Sequence, residues 1–140
     1  MKILALDIGT KRIGVAKANT IISVATPVTT INRTNEEEDF KKIKNLVIEH
    51  GIDKILLGLP LNLNGREEHF AKYVRKFGDK LKQTLDIDII YWDERLSSVS
   101  AERILTMGKV SKKTRKNNVD RIAATIFLQN YIDYLNNNTI

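Results

Sequence analysis

The chain has 140 residues, the size of one ordinary domain and enough to bury roughly two-thirds of the surface its unfolded form exposes. It contains no cysteine, which excludes disulfides, thiolate zinc sites and cysteine nucleophiles and suits a reducing cytoplasm. The net charge is +6, and Lys109, Lys112, Lys113, Arg115 and Lys116 fall within eight acid-free residues, so the excess is local. Such a segment suits a polyanion such as nucleic acid; the plainer reading is a solvated lysine-rich loop. No stretch approaches the ~20 apolar residues of a membrane helix, and the six residues from Lys2 to Asp7 are too few for a signal-peptide core. A cytoplasmic protein with no membrane attachment is expected.

KILALDIG reads as a buried strand that leaves the sheet at Asp7. A turn from Gly9 to Lys11 leads into RIGVAKA, where Ile13 and Val15 share one face and Gly14 and Ala16 the other, so a hairpin is predicted. A third short strand is expected near Val28 to Ile31, giving an antiparallel meander. Thr34 and Glu37 have the form of a capping box, and Phe40, Ile43, Leu46 and Val47 then recur at helical spacing up to a stop at Gly51. Lys54 to Leu59 is a strand ended by Pro60. Phe70, Val74, Phe77 and Leu81 mark a second helix, and Ile87 to Trp92 a further strand.

Ser97 or Ser98 is expected to cap a third helix carrying Ala101, Ile104 and Leu105. The basic stretch has no apolar periodicity and reads as a loop. Asn117 or Asn118 then caps a last helix, with Ile122, Ala123, Ile126 and Phe127 towards the core. The expectation is one α/β domain over 1–140: a central mixed five-stranded sheet, an antiparallel meander extended by parallel strands, flanked by about four helices.

Asp7 ends the first strand, Asp93 and Glu94 end the last, and Asp120 lies in the first turn of the terminal helix. If the first and last strands are neighbours, three distant parts of the chain bring acids to one rim. Several carboxylates without thiol or imidazole suit a hard divalent cation, Mg2+ or Mn2+. Asp7 interrupts an apolar strand beside Gly9, where a missing side chain would let a phosphate or metal approach the backbone. Thr10, Lys11 and Arg12 add a hydroxyl and two cations.

Asp93 and Glu94 would point to opposite faces of an extended strand, and reach favours Glu94. Asp93 could pair with Arg95 or cap the turn. Asp120 has Ala123 and Ala124 beneath it, so the helix start can press on the sheet; its plainer role is to complement the helix dipole. His50 and His69 are isolated, and Ser97, Ser98 and Ser100 lack a histidine partner. Trp92 reads as packed at the strand end, with base stacking the alternative.

DIGTKRIGVA, GLPLNLNG, DERLSS and VDRIAATIFLQ, in this order and spacing, resemble the YqgF family, also called RuvX, over nearly the whole chain. The resemblance implies a ribonuclease H-like fold, a cytoplasmic bacterial protein, and nuclease action in 5′ maturation of small-subunit ribosomal RNA, the pre-16S precursor. Members have also been proposed to resolve Holliday junctions. Carried over by motif, the catalytic and metal-binding acids are Asp7, Glu94 and Asp120. The loop motif falls on Gly58, Pro60, Asn62 and Gly65, and the arginine after the acidic pair is Arg95. Arg121 departs from the motif, which has a small or apolar residue there.

On this reading Thr10, Lys11, Arg12, Asn62, Arg95 and the run Lys112, Lys113, Arg115 and Lys116 contact the substrate, precursor ribosomal RNA or branched DNA. The protein would act as a monomer or homodimer. One rival is a kinase of the actin and hexokinase type, suggested by Asp-x-Gly-Thr after a first strand, although such enzymes enclose nucleotide between two domains. The other is a non-catalytic RNA-binding module.

Overall fold

The computed structural model describes residues 1–60, 69–93 and 112–138, with side chains along the last segment described for 121–137. Three strands come first, β1 (Lys2–Ile8), β2 (Arg12–Asn19) and β3 (Val24–Asn32). Then follow α1 (Glu36–His50), β4 (Lys54–Leu59), α2 (His69–Leu85), β5 (Asp88–Asp93) and α3 (Lys112–Asn138). The strands make one sheet in the order β3-β2-β1-β4-β5. The β1–β2 and β2–β3 pairs are antiparallel, while β1–β4 and β4–β5 are parallel, so the expected mixed sheet is present.

Side-chain alternation divides the core between two faces. Leu4, Leu6 and Ile8 of β1, Ile13 and Val15 of β2, and Ile55, Leu57 and Leu59 of β4 pack with Phe40 and Ile43 of α1 and Val74, Phe77 and Leu81 of α2. Ile3, Ala5, Ala16, Ala18 and Leu56 pack on the opposite face with Ala124, Phe127, Leu128, Tyr131 and Ile132 of α3. That helix lies mainly across β2 and β3. Its Gln129 accepts from Ala25 N at 2.9 Å and donates to Ser23 O at 3.0 Å, tying it to the β2–β3 hairpin.

Local chemistry explains the element ends. Asn35 Oδ1 accepts from Glu38 N at 2.9 Å, and Gly51, at φ 61°, closes α1 in the left-handed conformation. Gly78 lets α2 lie close to the sheet, since a Cβ there would strike the Tyr91 hydroxyl and Leu57 Cδ1.

Several expectations change. The helix cap is Asn35 rather than Thr34; the two are adjacent and both competent, and Thr34 N instead donates to Asp39 Oδ1 at 3.1 Å. β3 runs from Val24 through Pro27 because it is an edge strand, and its register with β2 shifts opposite the proline, between Val15 and Ala16. β4 separates β1 from β5, so the first and last strands are not neighbours. The basic run is not a loop from Lys112 onwards: α3 begins there, lysine and arginine being good helix formers with no glycine or proline to stop them. On α3, Ala123 and Phe127 are buried as expected, but Ala124 and Leu128 replace the half-buried Ile122 and Ile126 in the core.

Three helices flank the sheet among the described residues, where about four were expected; the one predicted from Ser97 or Ser98 lies outside them. Among the described residues no helix is long and apolar enough to cross a membrane.

Candidate active site

Asp7 shares the parity of Ile3 and Ala5, so it belongs to the face covered by α3. It is 9% exposed, one of two buried charged side chains among the described residues. Its partner on β2 is Gly14. On its other side the β1–β4 register, continued one residue beyond Leu6 and Leu57, sets Gly58 beside it. Neither neighbouring strand sets a side chain beside this carboxylate, and both glycines are themselves buried.

The same level reaches β5, where Gly58 pairs with Trp92. Trp92 packs edge-on against Tyr131 with ring centroids 5.1 Å apart and lies 5.3 Å from the Tyr134 ring, which bears out its reading as a packing residue. Asp93 has the parity of Ile89 and Tyr91, both packed on the α1/α2 side, so it faces away from Asp7.

The turn after Asp7 is held from two directions. Gly9 N donates to Arg12 O at 2.8 Å, and a Cβ on Gly9 would sit 2.7 Å from that same oxygen. Glycine is therefore needed to close the hairpin, a different reason from the ligand access expected of it. From below, Arg33 Nη1 donates to Gly9 O at 2.8 Å and Arg33 N donates to Lys11 O at 2.9 Å.

Arg33 is in turn fixed by Asp39 Oδ2 at 3.1 Å and the Tyr73 hydroxyl at 2.6 Å, with its guanidinium 5.3 Å from the Phe77 ring centroid. Arg33 and Asp39 are 11% and 1% exposed, so this is a buried ion pair. Burial works against the charge of Arg33, yet the hydrogen bonds with Tyr73 and Asp39 raise its pKa above the ordinary value. Sequence reasoning missed this pair. The available signal was Asp39, an acid beside Phe40 on the inward stripe of α1.

The expected substrate contacts separate by face. Thr10 lines a cavity of about 460 Å3 on the α1/α2 side with Arg33, Asp39, His69, Phe70 and Tyr73. Lys11 is exposed at the tip of the turn. Arg12 lines a second cavity, of about 380 Å3, with Thr29, Thr30, Asn32 and Arg121. Asn62, Glu94 and Arg95 lie outside the described residues. Asp120, Lys112, Lys113, Arg115 and Lys116 are on the backbone of α3, and their side chains are outside the description. Of the three expected acids, Asp7 alone therefore has a described side chain, and no group of three or more histidines and acids gathers among the described residues.

The family model described as RuvX: Holliday junction resolvase matches residues 1–134. A protein of Caldanaerobacter subterraneus subsp. tengcongensis named "Putative pre-16S rRNA nuclease" is 42% identical over 134 residues, covering 95% of this chain and 96% of its own. One of the same name from Clostridium acetobutylicum is 42% identical over 133 residues, covering 95% and 98%. Among solved structures, Thermus thermophilus RuvC in complex with a Holliday junction substrate superposes with a TM-score of 0.65 at 8% identity, covering 99% of this chain and 98% of that one. The Fowlpox virus resolvase bound to Holliday junction DNA gives 0.59 at 12% identity, covering 96% and 99%. The sheet and its flanking helices are thus those of the ribonuclease H-like resolvases.

Proposed function

The chain belongs to the RuvX, Holliday junction resolvase, family, and from that premise we propose that it is a metal-dependent nuclease. It hydrolyses phosphodiester bonds in the 5′ maturation of the pre-16S ribosomal RNA, as a single domain over 1–140 in the cytoplasm. The observation that carries this reading is Asp7, a buried carboxylate at the end of a core strand with glycine on both sides. A carboxylate in a core strand is costly to bury, and buried charges are paired or bound to a metal.

Glu94 is preferred to Asp93 because Asp93, with the parity of Ile89 and Tyr91, faces away from Asp7. Asp120 precedes Arg121 on the helix that covers the same face, one turn before the buried Ala123 and Ala124. This reading takes Glu94 and Asp120 to join Asp7 on the α3 side of the sheet, with β4 between β1 and β5.

The donor set fits Mg2+ or Mn2+: its members are carboxylates, and the one described is buried with glycine on either side. Asp7, Glu94 and Asp120 would hold the metal, which when bound supplies the charge that activates water and stabilises the attacking and leaving oxygens. Arg12 holds phosphate on the α3 face, while Lys11 and Arg95 steer the strand to it. Asn62 bonds the backbone, and Lys112, Lys113, Arg115 and Lys116 bind it farther along α3, while Thr10 opens to the α1/α2 side, off this path.

Resolution of branched DNA is the second reading, favoured by the family's description and by the junction-bound structures of similar fold. Cleavage of a 5′-extended pre-16S RNA and of a four-way DNA junction, each in Mg2+ and in Mn2+, separates the two. Metal-dependent cutting of the RNA alone is expected. Cutting of the junction alone replaces the substrate, and cutting of neither under salt-sensitive binding reduces the protein to a binding module.

A further inference from the structure

We propose that Arg33 is a positioning residue of the acidic centre: from the face of the sheet opposite Asp7 it fixes the turn from Gly9 to Lys11, and with it the end of the strand that carries Asp7. This rests on the nuclease reading for the reaction it serves, and adds a residue outside every motif singled out in the sequence.

Stability alone does not account for the Arg33–Asp39 pair. Both side chains are taken out of water beside the Phe77 ring, and well-packed apolar residues of similar volume often stabilise such a position as well as a buried ion pair does. What an apolar pair lacks is direction. The guanidinium is a rigid planar fork, and each of its three nitrogens has its own partner: Nε the Asp39 carboxylate, Nη2 the Tyr73 hydroxyl and Nη1 the Gly9 carbonyl. Asp39 belongs to α1 and Tyr73 to α2, so both helices of that layer aim the third arm at the turn. The other oxygen of Asp39 accepts from Thr34 N, which holds the main chain next to Arg33 as well.

The closing bond of the turn, from Gly9 N to Arg12 O, sets its shape but leaves it free to rock about the line of its two strands. Arg33 removes that freedom at two points, with its side chain on Gly9 O at 2.8 Å and its main-chain N on Lys11 O at 2.9 Å. Asp7 and Ile8, the last residues before the turn, pair with Gly14 and Ile13, so a tilt of the turn passes along the ladder to the carboxylate. A reacting constellation has to be held within about 0.5 Å, and a misplacement of about 1 Å can lower the rate roughly a hundredfold. Arg33 grips the turn from the α1/α2 side, so it acts on the reaction through the main chain and not through the substrate.

Arg33→Met combined with Asp39→Asn tests this without stranding a charge: the amide keeps an acceptor for Thr34 N, while the thioether cannot donate to Gly9 O. Amide hydrogen exchange of the full chain should speed up at Gly9 by about tenfold or more. On whichever of the pre-16S RNA and the four-way junction the parent cuts, kcat should fall by about 10–100-fold with KM within about twofold. Asn35→Ala, which weakens the protein through the cap of α1, should leave Gly9 exchange and kcat at the parent values. Should the double variant not fold, Tyr73→Phe removes one partner of the fork and must move Gly9 exchange and kcat in the same directions.

Gly9 exchange as slow in the variants as in the parent overturns the proposal, and so does an equal loss of kcat in Asn35→Ala. If the parent cleaves and the variants cleave as fast, Arg33 has no positioning role and the nuclease reading stands. If Gly9 loosens in the variants while the parent cuts neither substrate in Mg2+ or Mn2+, the hold on the turn stands and the nuclease reading fails.

Discussion

The two faces of the sheet are built from different side chains. On the α1/α2 side, Leu4, Leu6, Ile13, Val15, Ile55 and Leu57 fill the space with branched aliphatics, and Phe40 and Phe77 meet edge to face at 5.0 Å. On the α3 side the same strands present Ile3 and Leu56 but otherwise Ala5, Ala16, Ala18, Gly14 and Asp7. Large apolar volume stabilises the first face by burial. Small residues on the second let α3 approach the sheet closely. A single sheet separates a face filled by large side chains from the face on which Asp7 is buried.

That division is broken most directly at Asp7. Asp7→Asn keeps the shape, and turnover should fall by more than the ~10–100-fold typical of losing an outer-shell partner of a metal, while the thermal melt stays near that of the parent. A variant that melts early instead would move Asp7 into the structural half. Asp39→Ala probes the other side: it strands the Arg33 guanidinium, and chemical denaturation should show a loss of about 3 kcal/mol. Folded Asp39→Ala should also cleave less well, since Arg33 anchors Gly9 O and Lys11 O.

Smaller effects sharpen the contrast. Gly78→Ala would normally favour a helix by up to about 1 kcal/mol, but here the added methyl meets Tyr91 and Leu57. A net destabilisation of about 1–2 kcal/mol in denaturant, with cleavage intact, is expected. Asn35→Ala removes the cap of α1 and should cost about 1 kcal/mol, visible as a lower melting temperature with cleavage unchanged.

What was legible in the sequence follows the range of the forces involved. β1, β2, β4, β5, α1 and α2 were readable because their apolar periods, such as Val74, Phe77 and Leu81, are local. Strand order was not: nothing in KILALDI or DIIYWD says that β4 lies between them, because that depends on which edges meet after the crossovers. The start of α3 was hidden because Lys112 to Lys116 has no apolar stripe, and lysine and arginine favour helix without announcing it. Asp7 was legible as an acid that interrupts a core strand. The face it occupies, and the glycines on either side, required the register. Arg33 was invisible because its partners Gly9, Asp39 and Tyr73 are brought together only by the fold.

The two bonds from Gln129 to the β2–β3 hairpin also set an order of events during synthesis. Their partners, Ala25 and Ser23, precede Gln129 by 104 and 106 residues. At ordinary elongation rates the ribosome needs about 5–20 s to make that interval. Throughout it the hairpin waits with its second face uncovered. Since that face of the hairpin carries Gly14, Ala16, Ala18 and Ala25, the nascent chain has little there for another chain to adhere to, so the small residues that seat α3 in the finished protein also protect the unfinished one from aggregation.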